Sequence, residues 1–178
     1  MQASSPARER GGQAALLTAV YLAAVVAANL VIAAFGAALA PLVAFLFIGL
    51  NLATRDRLHD LWGRRVGRNM LLLIVTGGAL SYALNAGAGR VALASVIAFA
   101  LSETADALVY HLRRHRPFLD RSNASNVVGA AVDSLVFPVL AFGGFPLGII
   151  LLQFVAKTAG GLAWSLLLHA STRRSAAA

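Results

Sequence analysis

The sequence predicts an all-α integral membrane protein: a compact bundle of six transmembrane helices with both termini cytoplasmic. Three observations predict it. Hydrophobic residues fill 59% of the 178 positions and charged residues 12%, with mean hydropathy +0.76; soluble domains sit nearer about 45–50% and about 25%. The apolar residues come in blocks rather than alternating, which argues against the strands of a membrane β-barrel. The 15 basic residues outnumber the 7 acidic ones, for a formal net charge of +8, and they fall between the blocks. With no cysteine in the chain, disulfide scaffolds, thiolate metal sites and cysteine nucleophiles are excluded.

A spanning helix needs about 20 mostly apolar residues. The first such stretch is near 14–34 and contains Asn29; the second, near 37–53, has Asn51 close to its end. The third is near 69–85. The fourth, 91–112, is interrupted by Ser102, Glu103, Asp106 and Tyr110. The fifth, 124–142, holds Asn126 and Asp133, and the sixth, 147–170, holds Gln153 and Lys157. This division leaves residues 1–13 and 171–178 as cytoplasmic tails around one transmembrane domain, 14–170. The first stretch also reads as a signal peptide, with Arg8 and Arg10 as its basic flank and Ala38-Leu39-Ala40 as a cleavage site. Its apolar run is too long for a typical signal core, which favours a retained span.

The arginines test the count independently. Thirteen of the fifteen basic residues fall in segments that six spans put on one side; only Arg90 falls on the other, and Lys157 lies inside a span. That split follows the positive-inside rule. The basic excess therefore marks a membrane face rather than a nucleic-acid partner, and places the chain in a plasma or inner membrane.

Four ionisable residues fall at membrane depth: Glu103, Asp106, Asp133 and Lys157. Each costs about 2.5–3.5 kcal/mol at a helix centre on insertion scales, and such groups normally face the bundle interior. Phe99, Glu103, Asp106 and Tyr110 share one helical face. Glu103 is about 18 Å from the external end of its span at 1.5 Å per residue. Asp133 shares a face with Asn126 and Gly129. Gln153 and Lys157 are four apart, with Gly160 and Gly161 one turn on, a pattern suited to close helix approach. Three carboxylates against one lysine leave a surplus of two negative charges, so one acid holds a proton or a cation binds. The packing alternative is an interhelical salt bridge such as Lys157 with Asp133.

Arg55 and Asp56 sit at the apolar boundary, within reach of the interior. His111 and His115 are four apart, but no third metal ligand is placed with them. Phosphate loops, zinc-protease and serine-hydrolase signatures are missing, so no catalytic set, metal or cofactor is expected.

Two strings, Thr54-Arg55-Asp56-Arg57-Leu58-His59 and Ser102-Glu103-Thr104-Ala105-Asp106-Ala107-Leu108-Val109-Tyr110, carry a family resemblance. With Ser122-Asn123 and Val132-Asp133-Ser134-Leu135-Val136-Phe137, they resemble the VUT (vitamin uptake transporter) family, also called the queuosine precursor transporters. The resemblance runs from Asn29 to about Lys157. It implies a small multi-span importer of deazaguanine-type bases, and it matches Asn29, Arg55, Asp56, Glu103, Asp106, Asn123 and Asp133 to the family's polar pattern. Many members carry an acidic-rich stretch and Tyr-Gly after the second span. This chain has Asp60-Leu61-Trp62-Gly63 there, which marks a divergent branch.

The chemistry is compatible with that implication. A carboxylate of Glu103, Asp106 or Asp133 accepts the adjacent N–H donors of a guanine-like edge. Asn29 and Asn126 suit its carbonyl and ring nitrogens, and Phe99 or Tyr110 suits its flat face. Gln153 and Lys157 complete the expected substrate set. Three other readings stand beside a transporter with a midplane site. One is the substrate-binding membrane subunit of an importer driven by a separate ATPase; the others are an intramembrane lipid enzyme and an assembly protein. A homo-oligomer is compatible with each.

Overall fold

The computed structural model describes residues 6–116 and 118–176, with side chains from Arg10 to Leu168 except at positions 56, 59, 60, 64, 110, 117–119 and 121–123. The described residues form helices joined by tight turns, with no strand among them: α1 (Pro6–Phe35), α2 (Ala40–Val43), α3 (Gly49–Trp62), α4 (Val66–Leu84), α5 (Gly89–Leu112), α6 (Phe118–Phe142) and α7 (Leu147–Ala176). A 3-10 turn, Gly36–Leu39, links α1 to α2, and a π-turn, Ala44–Ile48, links α2 to α3.

Five helical stretches are long and apolar enough to cross a membrane: Arg10–Arg55, Val66–Leu84, Ala86–Val109, Ala124–Phe142 and Leu147–Leu168. The first is 46 residues long, about 69 Å if straight, or more than twice a hydrocarbon core of about 30 Å. It is not straight. Gly36 has φ 71°, a left-handed conformation that glycine adopts without steric cost, and Pro41 opens the return helix. Beyond the turn the chain folds back on α1. Ala28 and Ile32 pack with Ala40 and Val43, and lower down Tyr21 and Val25 pack with Leu58. The stretches expected near 14–34 and 37–53 are the two arms of this one helical run.

The helices close into a ring, with neighbours in the order α1, α4, α5, α6, α7, α3 and back to α1. The polarity of the ring is inverted relative to a soluble domain. Leucines on its outer surface are open, among them Leu72, Leu93, Leu152 and Leu166, while Arg55, Tyr21, Lys157 and Gln153 are among its most buried side chains. Apolar side chains outside and polar ones inside suit a lipid surround, because lipid imposes no penalty on exposed leucine and a large one on exposed charge. One end of the ring carries the turns at 63–65 and 113–116, rich in arginine. The other carries the turns at Gly36–Leu39, Ala86–Ala88 and 143–146. There the Asn85 side chain accepts the Gly87 N–H at 2.9 Å, and Arg90 Nε donates to the Leu140 carbonyl at 3.1 Å.

Candidate functional site

Helical spacing brings polar residues from five helices to the ring's axis. On α1, Tyr21, Val25, Ala28, Asn29 and Ile32 recur at the period of one face. On α3, Asn51 and Arg55 are one turn apart. Ser95, Phe99 and Ser102 on α5, Asp133 and Phe137 on α6, and Gln153 and Lys157 on α7 follow the same rule. Together these residues line a cavity of about 70 Å³, which is space for several water molecules.

Towards the arginine-rich end the cavity is floored by ion pairs. Arg55 Nη1 bonds Glu103 Oε1. Its Nη2 donates to Asn126 Oδ1 and lies 3.7 Å from Asp106 Oδ1. Lys157 Nζ is 2.7 Å from Asp133 Oδ2. Both cations are only 2% exposed. Arg55 thus joins α3 to α5 and α6, and Lys157 joins α7 to α6. Leu52, Arg55, Ile74, Phe99, Ala130 and Lys157 also line a wider, open cleft, which continues past Glu103, Asn126 and Thr158 to His111 and Arg114 at the arginine-rich end. At the opposite end the walls are apolar: Ile32, Val43 and Val91 pack with Phe137, Phe142 and Ile149.

Asn29 braces the upper wall. Its Nδ2 donates to Ser81 Oγ at 3.1 Å and its Oδ1 accepts from Ser95 Oγ at 2.6 Å, tying α1 to α4 and α5. Below it, the Ser102 hydroxyl on α5 donates to the Gly129 carbonyl at 2.9 Å, where α5 and α6 pack closely. Tyr21 meets Phe99 edge to face, with ring centroids 6.4 Å apart.

A family model described as "Putative vitamin uptake transporter" matches residues 9–169. The chain belongs to the vitamin uptake transporter family. The match covers nearly all of the helical ring and agrees with the resemblance carried by the Arg55 and Glu103 strings. No curated protein and no solved structure matches the chain. Family and fold together make it a multi-pass helical membrane protein of a transporter class, not an enzyme, handling a small-molecule substrate.

In this vitamin uptake transporter, Asn29, Arg55, Asp133, Gln153 and Lys157 line the cavity. Glu103, Asp106 and Asn126 are in the cleft beneath it. The side chains of Asp56, Tyr110 and Asn123 lie outside the described residues. Arg55, read from the sequence as a boundary residue within reach of the interior, lies inside the ring, and counting it lowers the buried surplus from two negative charges to one. Asn29 and Asn126, expected to meet a ligand, also bond protein partners: Asn29 bonds Ser81 and Ser95, and Asn126 bonds Arg55. The interhelical Lys157–Asp133 bridge is present, and both of its residues face the cavity. Sequence reasoning missed Tyr21, Ser81 and Ser95, noted Phe137 only within a family string and gave Asn51 no role. Tyr21 was findable: it shares the Asn29 stripe. A lone serine in an apolar helix carries no comparable signal.

Proposed function

We propose that this protein imports a small, flat, polar base, a queuosine precursor of the deazaguanine type, across a plasma or inner membrane. The observation that carries the reading is the polar cavity at the ring axis, apolar at one end and bounded by buried ion pairs at the other. Such a layout suits alternating access: parting the Arg55 and Lys157 pairs would join the cavity to the cleft, and parting the apolar end would open the other side. The substrate set is Asn29, Arg55, Asp133, Gln153 and Lys157 around the cavity. Asp56, Glu103, Asp106, Tyr110, Asn123 and Asn126 belong to its approach. The 46-residue run is read as two crossings, which gives six in all, with residues 1–13 and 171–178 as cytoplasmic tails.

The test is uptake of a labelled queuosine precursor by cells that cannot make one. Glu103→Gln and Asp133→Asn are each expected to lower uptake by at least ten-fold at equal membrane abundance. Normal transport by both variants would remove the proposed site. Uptake that requires a co-expressed ATPase would assign the chain instead to a substrate-binding subunit.

A further inference from the structure

The unpaired polar atoms of the cavity-lining residues differ in kind from the charged ones. Tyr21 Oη, Asn51 Oδ1 and Gln153 Nε2 make no hydrogen bond among the described residues, and their residues are 0%, 5% and 1% exposed. Leaving one such atom unsatisfied costs about 1–3 kcal/mol, and the large majority of buried side-chain polar atoms are satisfied in folded proteins. Here three lie on one small cavity, carried by three different helices. Of the carboxylates, Glu103 pairs with Arg55 and Asp133 with Lys157 through one oxygen each, while Asp106 Oδ1, which is not on the cavity lining, makes no hydrogen bond among the described residues. Among the unpaired atoms of the lining residues, donors predominate. Tyr21 offers an O–H, Gln153 its amide N–H groups, and Lys157 the ammonium hydrogens not directed at Asp133. Asn51 Oδ1 is the unpaired atom of the lining that can only accept. Phe99 and Phe137 supply flat apolar walls.

We propose that the cavity selects a flat heterocycle by a lactam edge. The ring carbonyl is held by Tyr21, Gln153 and Lys157, and the neighbouring ring N–H donates to Asn51. This rests on the cavity being the substrate site. It reverses the recognition expected from the sequence, in which carboxylates read the ligand's donors. An amino group in place of the carbonyl would set N–H against N–H and leave the buried donors unmet. Sites built around buried hydrogen-bonding groups discriminate strongly on that ground.

The experiment is a thermal-shift titration of the full-length protein in detergent with two matched oxo and amino pairs: hypoxanthine with adenine, and 4-pyrimidinone with 4-aminopyrimidine. Hypoxanthine is expected to stabilise at concentrations at least ten-fold below adenine. In Tyr21→Phe and Gln153→Leu that ratio is expected to fall towards one, while each variant's unliganded melting temperature reports its folding. If Gln153→Leu does not fold, Gln153→Met removes the same donor in a closer shape. Equal or better binding of adenine overturns the proposal, as does an oxo preference that survives both substitutions. A preference within the pyrimidine pair alone upholds the lactam reading and removes the purine substrate. Silence from all four compounds overturns the lactam reading, and the uptake assay then judges the proposed transport separately.

Discussion

Arg55 ties three helices through one guanidinium, meeting Glu103, Asp106 and Asn126. Its planar fork suits that task, and a lysine, with a single point charge, cannot span the same three partners. Removing one member of a buried pair strands the other, at about 3–5 kcal/mol. Arg55→Ala is therefore expected to melt far below the parent protein in detergent, with Arg55→Lys between them. The second pair separates packing from function. Lys157→Met alone strands Asp133, whereas Lys157→Met with Asp133→Asn removes both charges and is expected to recover most of the lost stability. Uptake should stay low in the double variant; full uptake there would assign the pair to packing alone. The four charges at membrane depth were legible because each interrupts an apolar block. Arg55 was legible as a boundary residue and as part of a family string, but its pairing was not. Its partners lie 48, 51 and 71 positions away, and no local pattern names them.

At the scale of elements, the tightest approach joins the second arm of the first hairpin to α7. A methyl group added at Gly49 would lie 2.6 Å from the Gly160 carbonyl carbon, and one at Gly160 would run into the Phe45 backbone. Backbone meets backbone there, so neither side yields as a flexible side chain would. Gly160→Ala is expected to lower stability by about 1–3 kcal/mol, the usual range for overpacking. Gly148 is the control: it lies on the same helix with nothing within 4 Å of an added methyl. Gly148→Ala should be neutral or raise stability by up to about 1 kcal/mol, since alanine is the better helix former. Thermal midpoints of the two variants decide it. The Gly160-Gly161 pair already announced a close approach beside Gln153 and Lys157. Its partner Gly49 did not, because one glycine in an apolar run does not say which helix it meets. The π-turn was equally hidden, since its widened hydrogen-bond pattern has no residue signature.

The whole molecule is a ring with unlike ends, and the arginines give it a direction. With no native cysteine, single introduced cysteines report that direction cleanly. Gly144→Cys is expected to react with a membrane-impermeant maleimide in intact cells, and Arg114→Cys only after permeabilisation. The opposite result would invert the orientation. The all-helical class and the alternation of basic turns were readable from the sequence, because apolar blocks and arginine clusters are local. Ring order was not, since it depends on which faces complement one another. The turn at Ala44–Ile48 also has a consequence for the whole ring. It acts as a phase shifter, since an extra residue in a helix advances everything after it by about 100°. Deleting one residue there would swing Asn51 and Arg55 out of the axis and bring leucine-bearing faces in. The chain would keep its composition, its helix lengths and its fit to the membrane, yet its wet centre would become dry.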